Sequence, residues 1–102
     1  MSKRLLFLEK ATKDGSTDPF VWYGLAMEYR TLKRHDESLQ TFTTIRTTYP
    51  DYVPAYLMCG QLLIELTRTD EARAWLEAGI AAAKKTGNTH ALSEMQDALD
   101  AL

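Results

Sequence analysis

The spacing of aromatic and small residues between Trp22 and Pro50 is the feature that most limits the fold of this chain. Intervals of three or four residues separate the members of two groups, Trp22, Leu25 and Tyr29 in the first and Ser38 and Phe42 in the second. Residues at such intervals share one face of an α-helix. The segment therefore predicts two helices, each with one face turned toward a neighbour.

The same pattern returns later in the chain, after a shift that carries Trp22 to Tyr56 and that we call the repeat period. Residues of the same class stand at the shifted positions, which are Tyr56, Cys59, Gly60, Leu63, Ala72 and Leu76. The exception is Pro50, whose counterpart is Lys84. A backward shift places Leu8 at the position of Phe42, so the N-terminus reads as the second helix of a repeat whose first helix is missing. Self-similarity at a fixed period of this length indicates a repeat architecture.

The stretch from Trp22 to Pro50 resembles the tetratricopeptide repeat, whose pattern is W-x2-L-G-x2-Y, then A-x3-F, then P. Ala26 stands in place of the glycine and Ser38 in place of the alanine. Both substitutes are small, as required where the two helices of a repeat approach closely. The resemblance implies an all-α fold, an α-solenoid of antiparallel helix pairs in a right-handed superhelix of about six helices. It also implies a non-enzymatic module that binds another protein or peptide.

Boundary signals divide residues 1–102, read as a single domain, into four parts. The predicted parts are an N-terminal half-repeat helix at 1–14, a first repeat at 18–50, a second repeat at 51–86 and a C-terminal capping helix at 88–102. Asp18 is a helix cap with Pro19 in the first helical position, and Gly87 ends a helix. Asp51 and Thr69 are predicted to cap the two helices of the second repeat. Helix lengths of about 11–16 residues follow.

The threonine-rich segment 40–49 is the local exception. Its β-branched composition favours a strand. Phe42, Ile45 and Tyr49 nevertheless share one helical face, and the pair Thr43 and Thr44 breaks the alternation of a strand. We predict a helix with its threonines on the outer surface.

The resemblance also implies where a partner would bind. In tetratricopeptide proteins the first helix of each repeat lines a concave groove. The positions that carry over are Phe20, Tyr23, Met27 and Arg30 in the first repeat and Leu57, Met58, Gln61, Ile64 and Glu65 in the second. This groove would be largely apolar and suited to an apolar helix or peptide. The alternative is that these side chains only pack between neighbouring helices. A clamp for a partner's C-terminal carboxylate is disfavoured, because Tyr23, Met27 and Met58 stand where Lys or Asn would be needed.

A different function follows from the consecutive apolar residues Leu5, Leu6, Phe7 and Leu8. On a helix they point all around the axis, so one neighbouring helix cannot cover them all. Exposed apolar surface often marks an association site. We therefore predict that the chain either self-associates through residues 1–14 or docks that edge on another protein, unless the helix tilts and later turns cover the gap.

Charge and composition exclude several classes of function. A net charge of −2 with 25% charged residues provides no basic field for nucleic acid. Cys59 is the single cysteine, and no apolar run approaches the roughly 20 residues of a membrane span, so we expect a cytoplasmic protein that binds no membrane. His90, Glu94 and Asp97 have the spacing of metal ligands on one helix face, but we interpret them as a solvated face. We expect no catalytic residue, no metal and no cofactor.

Overall fold

The structure, a computed structural model, describes residues 2–102 and contains six α-helices and no strand within that range. The helices are α1 (Lys3–Lys13), α2 (Pro19–Thr31), α3 (His35–Thr48), α4 (Val53–Glu65), α5 (Thr69–Thr86) and α6 (Thr89–Asp100). The predicted all-α helical repeat is confirmed. The predicted first helix began at Met1, which lies outside the described residues. The longest helix, α5, has 18 residues and exceeds the expected range.

The chain forms two compact units, the first ending at Tyr49 and the second beginning at Pro50. In the first unit, α2 packs against both α1 and α3. Leu5 and Leu8 of α1 form a buried cluster with Leu25 and Tyr29 of α2. On the side of α3, the Ser38 hydroxyl donates a 2.8 Å hydrogen bond to the carbonyl oxygen of Ala26. The two predicted small positions therefore do meet where the helices approach.

In the second unit, α5 packs against both α4 and α6. The core joins one large residue or more from each helix, among them Tyr56, Leu57, Leu76, Ile80 and Met95. Close approach depends on two glycines. A Cβ atom on Gly60 would lie 2.7 Å from Leu76 Cδ2, and one on Gly79 would lie 2.5 Å from Tyr56 Cβ.

Some helix ends lie where the sequence predicts them, and others do not. The Asp18 carboxylate accepts a hydrogen bond from the Phe20 amide at 2.9 Å, and Gly87 ends α5 with φ of 72°. The predicted caps Asp51 and Thr69 are wrong. Because α4 begins at Val53, Asp51 lies one residue too early and instead accepts a hydrogen bond from Lys85 at 3.2 Å. Thr69 is already helical, and neither helix has a side-chain cap.

The threonine-rich segment is helical, as the spacing of Phe42 and Ile45 predicts. Its hydroxyl groups are accommodated by donating to backbone carbonyls one turn earlier, for example Thr43 to Leu39 at 2.9 Å. The expectation that every threonine faces outward is wrong for Thr41, which is buried. Thr41 lies three residues after the buried Ser38 and four before Ile45, so it shares their inward face.

Candidate protein-binding site

The outer wall of the candidate site is α2, which carries the first four predicted binding residues. Phe20 is 66% exposed, whereas Tyr23, Met27 and Arg30 are half-buried. The Asp18 cap starts the helix immediately before them. The Trp22 indole N–H donates to the Ser16 carbonyl oxygen at 2.8 Å, which holds the preceding loop against this helix.

The facing wall is α1. Its N-cap is Ser2, whose hydroxyl oxygen accepts a hydrogen bond from the Leu5 amide at 3.1 Å. Leu5 and Leu8 point inward, while Leu6 is 51% and Phe7 is 69% exposed. The predicted exposure of apolar surface on this helix is confirmed.

Together the two helices enclose an apolar groove of about 350 Å³, which we name the α1/α2 groove. Its lining residues are Arg4, Phe7, Leu8, Phe20, Val21, Tyr23, Gly24 and Met27. The Phe20 and Tyr23 rings are stacked with centroids 6.4 Å apart. The Tyr23 ring also meets the buried Phe42 ring edge-on at 6.5 Å, so an aromatic row runs from the core of this unit to its surface.

The floor of the groove is the close approach of α1 to α2 at Gly24. A Cβ atom there would lie 3.5 Å from Leu8 Cδ2, which is ordinary van der Waals contact. One end is held by a hydrogen bond of 2.6 Å from the Tyr29 hydroxyl to the Glu9 carboxylate. Since these residues come from different helices, the bond fixes the relative position of the two walls.

Charges lie mainly on the α1 wall. The Arg4 side chain is 71% exposed, and its Nε lies 3.8 Å from an oxygen of the mostly buried Glu28 carboxylate. The Ser2 hydroxyl donates to the same carboxylate at 3.3 Å. Near the middle of α2, burial raises the pKa of Tyr23, and the nearby Arg30 partly opposes that rise. Tyr23 is therefore a neutral phenol that can present both an apolar ring and a hydroxyl to a ligand.

Comparison with known proteins decides the family. The family model for the tetratricopeptide repeat matches residues 29–95. The chain belongs to the tetratricopeptide repeat family. A crystal structure of a tetratricopeptide repeat domain protein from Salinibacter ruber is 39% identical, with a TM-score of 0.74 over 80% of this chain and 91% of that one. A solution structure of such a protein from the same organism is 38% identical, with a TM-score of 0.78 over 81% and 84% of the two chains.

A third structure, from Bordetella parapertussis, has a TM-score of 0.81 over 98% of this chain and 87% of that one. At 24% identity it shows the shared fold alone. No curated protein is significantly similar to this chain. Proteins of the tetratricopeptide repeat family are generally non-catalytic scaffolds that bind other proteins.

The binding residues predicted in the second repeat are less exposed than those in the first. Leu57 is buried in the core, as the packing alternative expects. Met58 and Ile64 are partly buried against that core, and Gln61 is half-buried. Their role in binding stays a prediction.

The turn between the two helices of the first repeat contains two adjacent basic residues, Lys33 and Arg34. Arg34 makes two hydrogen bonds to the Glu37 carboxylate, at 2.6 and 2.7 Å. Its guanidinium also lies 4.9 Å from the centre of the Tyr29 ring. Arg34 is therefore engaged within its own repeat.

The described residues were also compared with the requirements of a metal site and of a membrane-spanning helix. His90 pairs with Glu94 on the surface of α6, and residues 2–102 bring no three His, Cys, Asp or Glu side chains together in a way that could hold a metal ion. Over the same range, every helix is too short or too polar to cross a membrane.

No sequence pattern around Trp22 indicates that Arg4, Leu8, Val21 and Gly24 belong to one site with Phe20. The spacing around Trp22 finds residues on one helix only, and the groove needs a second helix. The repeat period could have indicated that α1 contributes to the site. Two shifts by that period carry Phe7 to Trp75, an aromatic residue that packs against a neighbouring helix.

A pH dependence is expected from Tyr29. Burial and the adjacent Glu9 carboxylate raise its pKa from 10.0 to about 12, because the neutral phenol is favoured in the folded chain. This contribution to stability should be fully present below pH 10 and be lost as the pH rises toward 12. Chemical denaturation across this range should show a shallower loss of stability for Tyr29→Phe than for the parent protein. Parallel curves for the two proteins would contradict the assignment.

Proposed function

We propose that this chain is a non-catalytic adaptor that holds an apolar helix or peptide of another protein in the α1/α2 groove. The observation that carries the proposal is the exposure of Phe7 and Phe20, 69% and 66%, on opposite walls of one groove. Large apolar side chains gain about 1.5–3 kcal/mol each when they are withdrawn from water. A partner that covers both rings would therefore gain a substantial part of its binding free energy from them.

The other lining residues suit such a partner. Tyr23 is an aromatic anchor of the kind that contributes most to interfaces, and it is supported from below by Phe42. Met27 is flexible and can adapt to the shape of the ligand. Arg30 is not among the lining residues, but it is close enough to oppose in part the rise that burial causes in the pKa of Tyr23, and it is proposed as a charged contact for the partner.

The second repeat, described by itself, has its own set of proposed contact residues. Met58, Gln61 and Ile64 are only partly buried, so part of each side chain is accessible. Leu57 is buried within the core of its unit and is proposed to support its neighbours. We also propose a cytoplasmic location, in keeping with a single cysteine.

The test compares the immobilised parent protein with two variants in which an exposed apolar residue is changed to glutamate. Phe20→Glu places a charge in the groove, and Leu32→Glu places one at the end of α2, outside the lining residues. Both variants are first checked for folding by circular dichroism and thermal melting. We expect one foreign protein from a lysate of the source organism to bind the parent and the Leu32→Glu control, with at least tenfold less bound to Phe20→Glu. Equal retention by all three would contradict the proposal.

A second candidate is a structural subunit that mainly self-associates through α1. It is favoured by the adjacent exposure of Leu6 and Phe7 on the same helix. Sedimentation velocity of the parent protein and of a Leu6→Glu variant over a hundredfold range of concentration tests it. A concentration-dependent dimer that Leu6→Glu abolishes would favour this candidate, and a monomer throughout would remove it.

A further inference from the structure

The two walls of the α1/α2 groove have counterparts in the second unit. Two shifts by the repeat period carry Phe7 to Trp75, Leu8 to Leu76 and Met27 to Met95. Thus α1 corresponds to α5, and α2 corresponds to α6. The second unit therefore contains a copy of the two helices that form the groove.

In the second unit a third helix, α4, lies against these two. Its Tyr56 ring packs on Trp75 with centroids 5.9 Å apart. Its Gly60 approaches Leu76 so closely that an added Cβ would be 2.7 Å from the leucine side chain. In the first unit, by contrast, the counterpart of Trp75 is Phe7, which remains 69% exposed. The α1/α2 groove is therefore the position that α4 fills in the second unit.

This correspondence indicates an α-helix as the occupant. A helix in the groove would face Phe7 with an aromatic residue, as Tyr56 faces Trp75. Four residues further it would need a small residue to approach Leu8, as Gly60 approaches Leu76. In an extended peptide two residues four apart also share a face, but they lie about 13 Å apart instead of the roughly 6 Å of a helix, so they could not meet Phe7 and Leu8 together.

The charge of the groove differs from that of its counterpart. Arg4 stands where the second unit has the fully buried Ala72. Two basic residues, Lys3 and Arg4, stand next to each other at this end of α1, whereas Lys10 pairs with Asp14 at the other end. A helix seated in the groove therefore meets a positive wall at the end where Arg4 lies.

A second copy of this chain fits the groove poorly. Its α1 would bring the same positive charges to the interface, and like charges repel. Its α6 is the counterpart of α4 one repeat later, with Glu94 at the position of Gly60. Because even a Cβ atom is crowded at that position, a glutamate there prevents close seating.

From these observations, and resting on the proposed function of the groove, we propose that its occupant is an amphipathic helix of another protein. This helix carries an aromatic residue opposite Phe7, a small residue opposite Leu8 and a carboxylate opposite Arg4. The carboxylate lies about one turn beyond the small residue. It shares the exposed Arg4 guanidinium with Glu28, which lies 3.8 Å from Arg4 Nε and keeps its hydrogen bond from the Ser2 hydroxyl.

The probes for this proposal are two helical peptides with the sequence of α4, residues 53–65, stapled on the outer face and carrying Cys59→Ser. One peptide carries Leu63→Glu and the other Leu63→Lys, one turn after Gly60. Binding to the full chain is measured by fluorescence anisotropy at low salt. We expect the glutamate peptide to bind about five- to tenfold more tightly, the size expected when a favourable surface ion pair is replaced by a repulsive one.

Protein variants separate the charge from the groove. Arg4→Glu should reverse the preference between the peptides, and Lys13→Glu, an exposed change on the same helix outside the groove lining, should leave it unchanged. Phe7→Glu should abolish binding of both. Binding that requires Phe7 but is indifferent to charge would overturn the acidic helix and leave the groove function standing.

Three other outcomes would contradict more than the acidic character of the helix. Failure of both peptides to bind the parent protein would count against the proposed function itself. Self-association that Phe7→Glu removes would identify a second copy as the occupant instead. Stronger, Phe7-dependent binding to vesicles with one-quarter anionic lipid would replace the partner helix with a membrane surface.

Discussion

Phe42→Ala should lower the free energy of unfolding by about 3–5 kcal/mol, whereas Phe7→Ala should change it by less than about 0.5 kcal/mol. The two residues are of the same type and each lies on a helix of the first unit. Phe42 is fully buried and meets the Tyr23 ring, so its removal leaves a cavity that its neighbours cannot fill. The Phe7 side chain is 69% exposed, so little packing is lost with it.

Urea denaturation followed by circular dichroism measures both changes. The pair also separates folding from function, since Phe7→Ala should remain folded while losing affinity for a groove ligand. An equal loss of stability in the two variants would mean that Phe7 belongs to the core. The α1/α2 groove would then lack one of its exposed walls.

The helices and the repeat could be predicted because their signals are local. The Asp18 cap, the proline after it and the spacing of Phe42 and Ile45 act within one or two turns of helix. The threonines of α3 did not override that spacing, because their hydroxyl groups bond to carbonyls of the same helix. The repeat period then fixed which residues of the two repeats correspond.

The groove could not be predicted because it depends on how α1 is rotated against α2. In the run from Leu5 to Leu8, the sequence does not say which residues turn inward. That choice is made by contacts between residues far apart in the chain, such as the bond from Tyr29 to Glu9, 20 residues away. The same contacts leave Phe7 facing the space beside Phe20.

Gly79→Ala should lower the free energy of unfolding by about 2 kcal/mol, and Gly24→Ala should raise it by about 0.5–1 kcal/mol. Alanine is the better helix former, so propensity alone favours both changes. At Gly79, however, the new Cβ would lie 2.5 Å from Tyr56 Cβ and from Met95 Sδ. The methionine can move, but Tyr56 Cβ is attached to the backbone of α4, so α4 and α5 would have to separate. At Gly24 the new atom would meet only the end of Leu8 at 3.5 Å.

The opposite signs can be measured in one set of urea denaturation curves, and the same sign for both variants would contradict the packing described for Gly79. The position in the repeat does not itself require glycine. Ile45, its counterpart one repeat period earlier, is large and fully buried. The requirement at Gly79 arises from two neighbours, Tyr56 from α4 and Met95 from α6, which converge on it. Gly79→Ala therefore tests how closely α4 is seated against α5, the arrangement from which the occupant of the α1/α2 groove is inferred.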